Sequence, residues 1–304
     1  MALYSELTEP QRQQVCALFG IDYQQSSHIE GGAANTSYIV TNLDNERFVL
    51  TLLDNAINRP PQMLARLLRH LDAHGIATSG PVESIRGKLI ERFDDHQVMV
   101  KRFVEGSCHD ILPIEHLAAA GAALARVHAL PALDWLPRGP RRLTNASEHL
   151  GSFADVNFAS WVRDGLDEAQ GLLELDEPLC VIHGDYFADN LITTPRGGIA
   201  ILDWETASTD IAVLDIGFAV VGLTRLAGEL DNDRLRSFLQ GYQSVRELND
   251  REIAHVQTAT IYGATVLGYY RYLRHHIRYP NPRKYGVHRE MRDFVGSVRE
   301  RWSA

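Results

Sequence analysis

The chain has 304 residues, 45% apolar and 23% charged, enough for one large or two ordinary globular domains with a sizeable core. Its net charge of −9 argues against a general nucleic-acid binder. Three widely spaced cysteines, Cys16, Cys108 and Cys180, indicate neither a disulfide framework nor a zinc site, and each reads as a small buried apolar residue.

Along the chain, the opening MALYSELTEP lacks the basic start and apolar core of a signal peptide. Ser37–Thr41 and Arg47–Leu52 are β-rich runs separated by a turn-like Asn42-Leu43-Asp44-Asn45, so a hairpin is predicted. After Pro60-Pro61, apolar residues at Met63, Leu64, Leu67, Leu68 and Leu71 share one helix face, and His74-Gly75 ends that helix. Strands are predicted around Lys88–Phe93 and Gln97–Phe103. The character changes at Val104-Glu105-Gly106-Ser107. Helices are expected at Glu115–Leu130 and about Ser160–Leu175, then short strands at Cys180–His183 and Ile199–Leu202. Further helices are expected at Ile216–Glu229, Asp233–Ser244, Arg251–His275 and His288–Arg301. The longest nearly apolar stretch, Ile211–Leu223, is 13 residues and contains Asp215, too short for a bilayer, so a cytoplasmic protein with no membrane partner is expected. The predicted division is an N-terminal lobe over 1–103, a hinge over 104–107 and a mainly helical lobe over 108–304, with ligands expected in a cleft.

Charge is uneven. Lysine occurs only at Lys88, Lys101 and Lys284, and arginine supplies the other cations. Residues 251–304 hold ten Lys and Arg against four Asp and Glu, a local balance of +6 within an acidic chain. Solvated helix faces and a site for something anionic both account for it.

The informative stretch runs from Val181 through His183-Gly184-Asp185 and Asn190 to Asp203-Trp204-Glu205. One short strand delivers His183 and Asp185 into a loop, Asn190 follows five residues after Asp185, and a second strand delivers Asp203. Phosphoryl transfer needs such a set: one carboxylate to orient the proton of an attacking hydroxyl, and a second carboxylate with a carbonyl oxygen to hold Mg²⁺ against nucleotide phosphates.

His183-x-Asp185-x4-Asn190 followed by Asp203 resembles the aminoglycoside phosphotransferase and choline kinase branch of the protein-kinase-like fold. Gly31-Gly32-Ala33-Ala34-Asn35-Thr36-Ser37-Tyr38-Ile39-Val40-Thr41, Phe48-Val49-Leu50-Thr51-Leu52 and Gly121–His128 are most similar to the type II homoserine kinases. The resemblance spans about residues 28–220. It implies an α+β, two-lobed fold, a small antiparallel sheet lobe before a larger helical one, with ATP and Mg²⁺ as cofactors. It further implies Asp185 as catalytic base, Asn190 and Asp203 as metal ligands, and His183 and Asp215 as braces of the loop. Gly31, Gly32 and Asn35 match the phosphate-covering loop, and Phe103 and Val104 match the hinge that pairs with adenine.

One departure matters. Thr51 stands where the wider family carries its phosphate-binding lysine, and the helix Pro61–His74 contains no glutamate to pair with such a lysine. Arg47, Lys88 and Lys101 are the candidate substitutes. The expected reaction is ATP-dependent phosphorylation of a small-molecule hydroxyl, with homoserine or a related hydroxy acid foremost. The alternatives are an aminoglycoside or amino-alcohol kinase, and a catalytically weak pseudokinase or nucleotide-binding regulator. The basic C-terminal region suggests an anionic group on the substrate, held by Arg271 and Arg274 beside Tyr270 on one helix face.

Overall fold

The computed structural model describes residues 6–29, 35–53, 60–144 and 146–303. Gly31 and Gly32 lie outside them. Compactness divides the chain into Met1–Gly106 with Ala200–Glu205, and Ser107–Ile199 with Thr206–Ala304. The first boundary falls between Gly106 and Ser107. The division predicted from sequence did not anticipate that Ala200–Glu205 joins the first unit.

The first unit opens with α1 (Glu9–Leu18), capped by a reciprocal Thr8–Gln11 box. Five antiparallel strands follow: β1 (Tyr23–His28), β2 (Ser37–Asn42), β3 (Arg47–Leu52), β4 (Glu91–Phe93) and β5 (His96–Arg102). Their order in the sheet is β1-β2-β3-β5-β4. Alternation gives the sheet two different faces. Tyr38, Val40, Leu50, Leu52, Val98 and Val100 point to one side and form a core with Val15, Cys16 and Phe19 from α1 and its end. Helix α2 (Pro61–Ala73) starts on proline and buries Ala65, Leu67, Leu68 and Leu71. Neither α1 nor β1 was predicted: Glu-Pro-Gln-Arg-Gln-Gln-Val-Cys-Ala-Leu buries only Val15 and Cys16, and Tyr-Gln-Gln-Ser-Ser-His has no buried alternation.

In the second unit, β6 (Ser107–Cys108) precedes α3 (Leu117–His128), α4 (Ala146–Leu150), α5 (Val156–Glu168) and the short α6 (Gln170–Leu173). The single helix expected at Ser160–Leu175 is therefore two, the first begun earlier by Asp155, whose carboxylate accepts from the Phe158 amide at 3.0 Å. Next come β7 (Leu179–Ile182), β8 (Leu191–Thr193), β9 (Ile199–Ile201), along which the chain passes into the first unit, and β10 (Ser208–Ile211). The remainder is α7 (Ala212–Thr224), a small hairpin of β11 (Arg225–Leu226) and β12 (Glu229–Leu230), α8 (Asn232–Gln243), α9 (Asp250–Tyr272) and α10 (Glu290–Arg301).

Helix α9 carries its own capping box, Asn249 with Glu252, and gives way at Leu273–Arg278 to a π-helical turn. Glycine lets helices touch: a Cβ at Gly121 or Gly241 would collide with the backbone of α8 or α3, and one at Gly217 with Ala259 of α9. The resulting α3–α8 and α7–α9 pairs anchor the apolar α7, nearly all of which is buried. No described helix is long and apolar enough to cross a membrane. Cys16 and Cys180 are buried as expected, whereas Cys108 is exposed, with its thiol donating to the Asp189 carbonyl at 3.3 Å.

Candidate active site

The second unit presents Asp185. Strand β7 pairs antiparallel with β10, Ile182 opposite Ser208, and is followed by the buried His183. The turn that follows needs Gly184, whose φ is +77° and whose missing Cβ would stand 3.2 Å from the Thr206 carbonyl and 3.3 Å from Arg141 Nε. Asp215, in the first turn of α7 and fully buried, accepts the His183 and Gly184 amides, each at 2.7 Å. The same carboxylate meets His128 Nε2 at 3.1 Å, and His128 Nδ1 meets the Tyr242 hydroxyl at 2.8 Å. Burial works to raise the Asp215 pKa, but the His128 hydrogen bond, the His128 and His183 charges and the His183 amide outweigh it, leaving it below the usual carboxylate value. Thr206 Oγ1 donates to the His183 carbonyl at 2.8 Å. The turn is thus held by groups from four separate segments, which is how a loop acquires a fixed geometry.

Asn190, closing the 3₁₀ turn Ala188–Asn190, sends its Nδ2 back to the Asp185 carbonyl at 2.8 Å and to Asp185 Oδ2 at 3.4 Å. The structure therefore brings Asp185 and Asn190 together. It also brings a residue that sequence reasoning missed: Arg141 Nη2 lies 3.4 Å from Asp185 Oδ1. Arg141 is mostly buried, its guanidinium 5.8 Å from the Phe218 ring and 5.9 Å from the Tyr270 ring, and its buried Nε has no hydrogen-bond partner among the described residues. The available signal was the dense Arg138-Gly139-Pro140-Arg141-Arg142 loop. The neighbouring Arg142 is a brace, donating to Asp210 and to the Leu173 carbonyl at 2.6 Å.

Arg271 and Arg274 sit differently from expectation. Arg271 is held by Glu290 at 3.0 Å and by the Val287 carbonyl at 3.1 Å, and so ties α9 to α10. Arg274 is exposed in the π-helical turn. The helix turns Tyr270, not Arg271, toward Arg141.

The first unit presents Asp203. It follows β9, is exposed, and has φ +56°, the left-handed region that Asp tolerates better than most residues. Its flank is fixed: the Ile201 amide donates to the Ala77 carbonyl at 2.9 Å, and the buried Trp204 indole donates to Thr78 Oγ1 and the Ile201 carbonyl, each at 3.0 Å. Glu205 accepts from Asn35 Nδ2 at 2.9 Å. Lys101 of β5 is half-buried; burial lowers its pKa, and the charges of Glu205 and Asp203 oppose that. Thr51 is buried and shares a hydroxyl hydrogen bond with Ser37 at 3.1 Å, rather than presenting an open hydroxyl. The Phe103 amide already donates to the Arg47 carbonyl at 3.1 Å, and Arg47 lies over the Phe103 ring at 4.1 Å while pairing with Glu105. Val104 is half-buried beside it.

Among the described residues, no three His, Cys, Asp or Glu side chains gather into a metal site. Mg²⁺ does not need such a cage when phosphate oxygens complete its shell: one or two carboxylates suffice. The oxygen-bearing Asp203 and Asn190 fit that donor chemistry.

The phosphotransferase enzyme family model matches residues 27–248. The homoserine kinase of Paramagnetospirillum magneticum is 25% identical over 94% of this chain and 100% of its own length. Among solved structures, amicoumacin kinase hAmiN in complex with AMP-PNP, Ca²⁺ and Ami superimposes with a TM-score of 0.72 at 17% identity, covering 97% of this chain and 94% of that one. Choline kinase LicA from Streptococcus pneumoniae gives 0.68 at 16%, covering 96% and 99%. These likenesses match a unit with a five-stranded antiparallel sheet and a larger helical unit that presents His183-Gly184-Asp185 with Asn190. The chain belongs to the phosphotransferase enzyme family, has the protein-kinase-like fold and is a small-molecule kinase.

Proposed function

We propose that the enzyme transfers the γ-phosphoryl group of ATP to the hydroxyl of a small hydroxy acid, with homoserine the foremost candidate. The observation that carries the substrate class is Arg141, a mostly buried guanidinium 3.4 Å from Asp185. A guanidinium holds a carboxylate with two parallel hydrogen bonds. One beside the proposed base favours a substrate whose anionic group lies a few bonds from its hydroxyl, as in homoserine. It disfavours choline-like or aminoglycoside cations at the same place. The homoserine kinases among the relatives support the same reading.

In this reading Asp185 accepts the hydrogen bond of the substrate hydroxyl and takes its proton as attack proceeds. Asn190 fixes the Asp185 backbone through Nδ2 and keeps its carbonyl oxygen for the metal. Asp203 supplies the carboxylate oxygen. Together Asn190 and Asp203 would hold Mg²⁺, which would supply positive charge to offset that of the phosphates. Because the Phe103 amide is engaged by Arg47, adenine pairing falls to the Phe103 carbonyl and to Val104. Gly31, Gly32 and Asn35 would cover the phosphates.

The test is a substrate comparison under saturating ATP: homoserine, its carboxamide, aminopropanol, choline and an aminoglycoside, followed by ADP release. Homoserine should give the highest kcat/KM, with the carboxamide down by about a hundredfold for loss of a charge-assisted bidentate contact. Equal use of acid and amide, or preference for a cationic alcohol, would overturn the substrate class.

A further inference from the structure

The sheet face that carries Thr51 also carries a cation. Strands β3 and β5 pair with Val49 opposite Lys101 and Thr51 opposite Met99, so all four side chains leave the same face. Lys101 is the diagonal neighbour of Thr51, a separation of roughly 7–8 Å between backbones that a long side chain bridges. The other face of the sheet is taken up by the core against α1. Of the three cations that could replace the absent lysine, two are otherwise placed. Arg47 pairs with Glu105 at the hinge end, and Lys88 is an exposed loop residue 4.0 Å from Glu91.

Lys101 lies within the influence of Glu205 and Asp203, the acids that flank Trp204. Glu205 is itself tied to Asn35, where the chain enters β2. In α2 no glutamate is present; Gln62 reaches Gln97 of β5 at 3.3 Å, and Asp72 pairs with Arg102.

We propose that Lys101, on β5 instead of β3, is the cation that binds the nucleotide phosphates, and that Glu205 is the acid that positions it. The lysine–glutamate pair of the wider family has moved one strand across the sheet and taken its acid from the segment after Asp203. A flexible ammonium stem tolerates such a shift of origin, since its charge acts as a point and needs no planar register. Glu205 is itself fixed by the Asn35 amide, two residues before β2. The inference rests on the kinase reading above.

Calorimetric titration separates the two. MgATP and adenosine are titrated into the full-length parent, Lys101→Met, Lys101→Arg, Glu205→Gln and the double variant Lys101→Met/Thr51→Lys. The parent should bind MgATP. Lys101→Met should weaken MgATP by about 10–100-fold, the scale of one charge-assisted contact, with adenosine changed by less than about twofold. Lys101→Arg and Glu205→Gln should fall between parent and Lys101→Met. Restoring a lysine at position 51 should recover about tenfold of the lost affinity, because it returns the charge to the same face. MgATP binding by Lys101→Met within about twofold of the parent overturns the inference and leaves the kinase reading standing. An equal loss for adenosine overturns it too, since the change then lies in the fold of the unit. A parent that binds no MgATP overturns both.

Discussion

Arg141 Nη2 stands 3.4 Å from Asp185 Oδ1, joining the Arg-rich loop between α3 and α4 to the turn after β7. The pair places a fixed positive charge beside the proposed base. Arg141→Met should raise KM for a carboxylate-bearing substrate by about 10–100-fold while changing KM for ATP by less than about twofold. Steady-state kinetics with each substrate varied in turn checks this. An unchanged KM for the acid, or a shared loss in both constants, removes Arg141 from substrate recognition.

Asp185→Asn keeps size and most hydrogen bonding but cannot take a proton. Turnover should fall by about 10²–10⁴. Affinity for MgATP, measured separately, should change little. Turnover within about twofold of the parent would remove Asp185 as the base.

Asp203→Ala should abolish measurable turnover and weaken MgATP far more than metal-free ATP, because the carboxylate's partner is the metal. Titrations with and without EDTA distinguish these. Equal weakening of both forms would contradict a metal-ligand role.

Asp215 holds the turn that leads into Asp185. Asp215→Ala strands the His183 and Gly184 amides and the His128 ring, and should cost about 3 kcal/mol or more. The Asp215 pKa is lowered from 3.8 in the folded state, so the ionised form is favoured by folding. Its stability contribution is fully present above that unfolded value and is lost as pH falls through the lower folded one. Urea melts of parent and variant should therefore differ most above pH 3.8 and draw together as the pH falls below it. A gap that widens on acidification would contradict the assignment.

Much of the fold was legible because its signals are local. The β-rich runs at Ser37–Thr41 and Arg47–Leu52 and the Pro61 and Gly75 punctuation of α2 are each read from a few neighbouring residues. Asp185 and Asn190 were legible for the same reason: one six-residue stretch holds both. Lys101 was visible as a candidate but could not be separated from Arg47 and Lys88 until strand register put it on the Thr51 face. Arg141 meets Asp185 only through tertiary structure. The positive balance of residues 251–304 misled because charges were counted without partners. Arg271 pairs with Glu290 nearby, but Arg289, Arg299 and Arg301 find Asp155, Glu168 and Glu229 elsewhere in the chain. Those arginines brace α9 and α10, and the cation beside the proposed base comes from the Arg138–Arg142 loop, outside that segment.

The central claim, phosphoryl transfer from ATP to the hydroxyl of a small hydroxy acid, is tested most directly by following ³¹P NMR of the enzyme with MgATP and L-homoserine. A new phosphomonoester resonance should grow in step with loss of the ATP γ-signal, be absent with homoserine omitted, and be suppressed in Asp185→Asn. ATP consumption without a phosphomonoester product, or a product formed from choline or an aminoglycoside in preference to homoserine, would contradict the account.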